Sequence, residues 1–137
     1  MSFLLDTNVV SELRKGKRAN AAVLRWMAQV ADDEIHLSVL VVAELRQGIE
    51  RLRRRDPAGA EPLERWLSIL LRVHGDRIFG VDLPIADLWG RLNVPHPLPA
   101  VDGLLAATAL VHDLTVVTRN VQDVARTGAR VLDPFAA

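Results

Sequence analysis

Phe3-Leu4-Leu5-Asp6-Thr7-Asn8 runs three apolar residues straight into an acid, a hydroxyl and an amide. The apolar run reads as a buried strand, and the polar residues mark its end. A carboxylate at the C-terminal end of a central strand stands where open α/β sheets bind their ligands. Asp is also a good helix N-cap, so the hexapeptide alone fixes a position and not a chemistry.

Working outward, strand and helix patterns alternate. Ser2 to Leu5 reads as the first strand, and Ser11 to Lys15 as a short helix. Asn20 caps a helix through about Val30, with Val23, Leu24, Met27 and Val30 at helical spacing. Ile35 to Leu37 reads as a strand, and Ser38 caps a helix from Val39 to Arg54 with Val41, Val42, Leu45, Ile49 and Leu52 in its buried stripe. Asp56-Pro57-Ala58-Gly59 reads as a break before a helix from Glu61 to Val73. Ile78 to Val81 is a third strand, and Pro84 to Leu92 a helix. The prolines of Val94-Pro95-His96-Pro97-Leu98-Pro99 fix φ and remove donors, so this segment is a loop. A helix from Ala100 to His112, a strand from Leu114 to Val117, a short helix near Val121 to Ala125 and a strand from Ala129 to Leu132 follow. The alternation predicts one α/β domain over residues 1–137, a parallel sheet with helices on both faces.

Bulk composition removes several function classes. Cysteine is absent, which excludes disulfides, thiolate zinc sites and thiol catalysis. Lys plus Arg number 17 against 17 Asp plus Glu, so the chain is not a wholly basic nucleic-acid binder, although local patches remain open to it. No apolar run approaches the roughly 20 residues of a membrane span. No signal-peptide pattern opens the chain, and a cytoplasmic protein with no membrane partner is expected. His36, His74, His96 and His112 have no paired spacing, which disfavours histidine acid–base chemistry.

The acids carry more. Asp6, Glu44, Asp102 and the Asn120/Asp123 pair all fall at strand ends or in the helices that follow them. In a doubly wound sheet those places converge on one edge. Carboxylates gathered there repel, and some stay protonated unless a cation is present. Oxygen donors without thiols select Mg²⁺ or Mn²⁺ over zinc. A metal held by Asp6 and Asp102, with Glu44 as ligand or as acceptor for a water, could activate that water against a phosphodiester.

Four segments together resemble the PIN-domain ribonucleases, and more narrowly the toxins of VapBC and FitAB type toxin–antitoxin systems. They are Leu4-Leu5-Asp6-Thr7-Asn8, Val42-Ala43-Glu44-Leu45, Ala100 to Ala109 around Asp102, and Val117-Thr118-Arg119-Asn120 with Asp123. The resemblance implies a three-layer α/β/α sandwich with a five-stranded parallel sheet of order 3-2-1-4-5. It implies a Mg²⁺- or Mn²⁺-dependent endoribonuclease, usually a homodimer, held inactive by a cognate antitoxin in a heterotetramer or larger assembly. Operator DNA would be met only through that antitoxin. Asp6, Glu44 and Asp102 match the acidic metal-binding positions. Many relatives carry Asp where this chain has Asn120, and Asp123 matches a further common acid, so either could complete the catalytic set. Thr7, Asn8 and Thr118 would organise the pocket or simply cap helices.

Substrate contact would fall to Lys15, Lys17 and Arg18 after the first helix and to Arg119 beside Asn120. The basic run Arg51 to Arg55 could meet RNA, an antitoxin or only water. Three rival readings remain at this stage. A receiver-like signalling domain is disfavoured because no Lys follows Lys17. A partner in a DNA-binding repressor complex and a metal-dependent DNA nuclease both keep the same fold.

Overall fold

The computed structural model describes residues 1–136. Its sheet has five parallel strands: β1 (Phe3–Leu5), β2 (Ile35–Ser38), β3 (Ile78–Phe79), β4 (Thr115–Val117) and β5 (Arg130–Leu132). The strand order is β3-β2-β1-β4-β5, as the resemblance implied. Phe3 pairs with Ile35 on one side and Thr115 on the other, so β1 is central. Leu4 is completely buried, as expected of a strand covered on both faces.

Among the described residues seven α-helices connect the strands: α1 (Thr7–Leu13), α2 (Ala21–Ala28), α3 (Val39–Arg55), α4 (Pro57–His74), α5 (Leu83–Leu92), α6 (Ala100–His112) and α7 (Val121–Ala125). From β1 the chain steps outward to β2 and β3, then returns across the sheet to β4 and β5. Right-handed crossovers then place α1 to α4 over one face and α5 to α7 over the other. The strand order reverses between β1 and β4, which opens a crevice beyond their C-terminal ends. Asp6 ends β1 and Thr118 follows β4, so both stand at that crevice.

Two helix starts differ from the sequence reading. α1 begins at Thr7, directly after Asp6, because Val9 and Val10 point into the core and are buried. Burial of these β-branched residues outweighs their modest helix propensity. α4 begins at Pro57, not Glu61. Asp56 is its N-cap, accepting from the Gly59 N–H at 3.0 Å, and Pro57 takes the first helical position. The Asp-Pro pair that reads as a break is thus a start, where proline's missing N–H costs nothing. The loop of prolines, α3, α6 and α7 lie where their patterns place them.

The Arg51 to Arg55 run divides between two roles. Arg53 is taken up by Glu61 at 2.9 Å and Glu64 at 2.7 Å, and Arg46 also bridges to Glu64 at 2.7 Å. These solvent-screened pairs link α3 to α4. Arg51, Arg54 and Arg55 stay exposed.

Candidate active site

Asp6 is 5 % exposed, an unusual place for a carboxylate. Its burial is sustained by hydrogen bonds. Oδ1 accepts from the Thr7 N–H at 2.7 Å. Oδ2 accepts from the Thr118 hydroxyl at 2.7 Å and the Asn8 amide at 3.3 Å. Charge-assisted bonds of this kind hold the carboxylate in one orientation.

Thr118 is fully buried and works in three directions. Its hydroxyl donates to Asp6 and accepts from the Asn120 N–H at 3.0 Å and the Asn8 amide at 3.3 Å. Asn8 Oδ1 accepts the Arg119 N–H at 3.3 Å. The turn after β4 is therefore fastened to the end of β1 through side chains. Thr7 reaches the other way, donating its hydroxyl to Glu44 Oε1 on α3. Thr7, Asn8 and Thr118 bond the acids of the pocket, while the cap of α1 is Asp6 itself.

Asp102 comes from the opposite layer, in the first turn of α6. Asp6, Thr7, Asn8, Glu44, Asp102 and Asn120 line one open cavity of about 550 Å³, with Pro99 to Val101 as its lip. The Asp102 carboxyl is pushed up from 3.8 to about 6, first by burial, then by the charges of Asp6, Asp123 and Glu44. The nearby Asn120 amide offsets part of that rise. Asp123 does not line this cavity. It lines an adjoining one of about 420 Å³, shared with Arg119, Asn120 and Asp133, and pairs loosely with Arg126 at 3.7 Å. Asn120 is thus in the wall of the acid cavity, and Asp123 acts on it through charge.

Among the described residues no group of three or more His, Cys, Asp or Glu side chains is drawn close enough together to hold a metal ion. Mg²⁺ keeps several waters and is commonly held by one or two carboxylates. An open set of mutually repelling oxygen donors suits such a hydrated, hard cation.

Lys15, Lys17 and Arg18 lie outside the acid cavity. They follow the far end of α1, about 10 Å of helix away from Asp6, and Lys15 is paired with Glu12 at 3.0 Å. Arg119 stands next to the cavity. Its guanidinium carbon lies 3.7 Å from the centroid of the Phe135 ring. Sequence reasoning missed Phe135, which follows the last strand with no periodicity around it.

Gly103 follows Asp102 and lies flat against Trp89. A Cβ there would come within 3.0 Å of the indole, whose Nε1–H is buried without a partner. Gly103→Ala gains helix propensity but must displace that ring. The expected result is a net loss of about 1 kcal/mol, read as a lower thermal midpoint, with activity reduced through the shifted first turn of α6.

Comparisons with known proteins cover nearly the whole chain. Toxin FitB of Neisseria gonorrhoeae is 31% identical over 138 residues, covering 97% of this chain and 98% of the toxin. VapC ribonuclease Y4jK of Sinorhizobium fredii is 31% identical over 141 residues, covering 97% of each. A solved FitAB assembly bound to a DNA fragment superposes with a TM-score of 0.88 at 28% identity, covering 98% of this chain and 96% of that one. The PIN domain family matches residues 3–129, nearly the whole fold described above, and the chain belongs to that family.

Proposed function

We infer that this protein is the toxin of a type II toxin–antitoxin pair and an endoribonuclease dependent on Mg²⁺ or Mn²⁺. The observation that carries the reading is the single cavity in which Asp6, Glu44 and Asp102 meet, with the Asp102 carboxyl pushed up by its neighbours. A divalent cation bound there supplies Lewis-acid activation of the phosphodiester and of the attacking water. Asp6, directly after β1, and Asp102, in the first turn of α6, would hold it. Glu44, bonded by Thr7, would be a further ligand or the acceptor of a water's proton. Thr118 and Asn8 keep Asp6 aimed into the cavity, and Asn120 limits the negative charge on its far wall.

The relatives named as a toxin and a ribonuclease support both halves of this reading. The FitAB assembly on DNA supports an antitoxin partner. With zero formal charge this chain has little of its own to hold a duplex, so operator DNA is met through the antitoxin. A homodimer is the expected toxin unit in that assembly.

The test compares matched RNA and DNA oligonucleotides with the purified chain. RNA is expected to be cut in Mg²⁺ or Mn²⁺ and spared in EDTA, with DNA uncut. Cleavage of DNA at the RNA rate would replace the substrate assignment, and no metal-dependent cleavage of either would remove the enzyme. A filter-binding series with Lys15, Lys17 and Arg18 all changed to Ala checks the outer cations. Retention of longer RNA is expected to fall, with a shallower salt slope. Unchanged retention would assign those three side chains to solvent.

A further inference from the structure

The nuclease reading leaves Phe135 without a role. The chain nevertheless builds a specific contact with it. The Phe135 N–H donates to Asp133 Oδ1 at 2.9 Å, and its ring packs against the edge of the core. The Arg119 guanidinium lies over that ring, its carbon 3.7 Å from the centroid, a separation at which the cation rests against the aromatic face. The Arg119 main chain is tied to the site as well, its backbone N–H donating to Asn8, which also bonds Asp6. The Phe135 contact then holds a long, normally mobile side chain beside the acid cavity. Arg119 is exposed, so its outer surface is open. It lines the cavity of about 420 Å³ that adjoins the acid cavity at Asn120.

We propose that Arg119, seated on Phe135, is a stacking platform for one nucleobase of single-stranded RNA beside the scissile phosphate. This rests on the reading of the acid cavity as the site of RNA cleavage. Guanidinium planes stack on bases, and unpaired bases splayed from single strands are what proteins hold in this way. The same cavity favours a base over a phosphate. Asp123 and Asp133 also line it. Their carboxylates repel a phosphate, yet accept hydrogen bonds from the amino groups of bases. Arg119 is thus a substrate-positioning residue, and Phe135 is the support that keeps its plane fixed.

The test uses short single-stranded RNA carrying 2-aminopurine at one position at a time, with the full chain in Mg²⁺. Binding is read as fluorescence quenching on an Asp102→Asn background, so that cleavage does not interfere. Steady-state cleavage is measured separately on the otherwise unaltered chain. Arg119→Lys keeps the charge and loses the plane, and Phe135→Leu keeps apolar bulk and loses the ring. Stacking of one base predicts strong quenching at a single position. It also predicts loss of that quenching and a rise in KM of about tenfold with kcat little changed in both variants. Thermal melts confirm that both variants fold. Equal quenching and KM in Arg119→Lys would reduce Arg119 to a phosphate contact and overturn the platform, as would an unchanged Phe135→Leu or no quenching at any position. Position-specific quenching by a chain that cuts no RNA would overturn the nuclease reading and leave the platform standing.

Discussion

Asp102→Asn is expected to lower RNA cleavage by about 10²–10³-fold, the equivalent of the several kcal/mol that metal charge stabilisation contributes. The same substitution is expected to raise the thermal midpoint of the metal-free protein. The two effects have opposite signs for one reason. In the fold the Asp102 carboxyl rises from 3.8 to about 6, because burial and the charges of Asp6, Asp123 and Glu44 disfavour its ionised form. The folded chain therefore holds a proton that the unfolded chain has released between those two values. Above about 6 the ionised Asp102 costs stability, and as pH falls toward 3.8 that cost disappears. Asn removes the charge at every pH. Asp102 is partly open to solvent, and after allowance for screening the gain at neutral pH is about 1 kcal/mol, a few degrees in midpoint. Melts in EDTA at neutral and mildly acidic pH check this. The unaltered chain should gain from this group on mild acidification, and Asp102→Asn should lose that increment. A variant that loses both activity and stability would mark Asp102 as a structural residue.

Thr118→Val is expected to destabilise the fold by about 1–3 kcal/mol and to cut activity by about 10- to 100-fold. Valine matches threonine in shape, so packing is preserved and the hydroxyl alone is lost. That hydroxyl donates to Asp6 Oδ2 and accepts from Asn120 N–H and Asn8. Its removal leaves a buried carboxylate with one donor fewer and a backbone N–H without its acceptor. Thr118→Ser keeps the hydroxyl and is expected to recover most of the activity. Chemical denaturation and cleavage rates on the three chains separate the effects. If Thr118→Val cut RNA at the unaltered rate, Asp6 would not depend on β4 for its aim.

The apolar run ending in Asp6 made β1 legible, because three consecutive core residues and a terminal acid have few other uses. The alternating pattern fixed the class, but the strand order came from the resemblance, since periodicity does not say which strands are neighbours. The starts of α1 and α4 were harder. Val9 and Val10 resemble strand residues until the core that covers them is known. Asp56-Pro57 marks either the end of one helix or the start of another, and here α4 follows at once.

Within the site, Asp6, Glu44, Thr7, Asn8, Asp102 and Asn120 line one cavity from four segments of the chain. Asp123 was harder to place from spacing, because Asn120 turns into the acid cavity while Asp123, in the short α7 that follows, faces the cavity next to it. Phe135 was invisible. Its role depends on where the tail after β5 returns, which no local pattern encodes.

The central claim is that the cavity of Asp6, Glu44 and Asp102 is a divalent-cation site. Titrating Mn²⁺ into the metal-free chain at neutral pH, followed by the loss of the free-ion paramagnetic resonance signal, tests it most directly. Saturable binding in the unaltered chain, displaced by Mg²⁺ and greatly weakened in both Asp6→Asn and Asp102→Asn, is the predicted result. Equal Mn²⁺ uptake by the unaltered chain and both variants, or no saturable uptake by the unaltered chain, would contradict it.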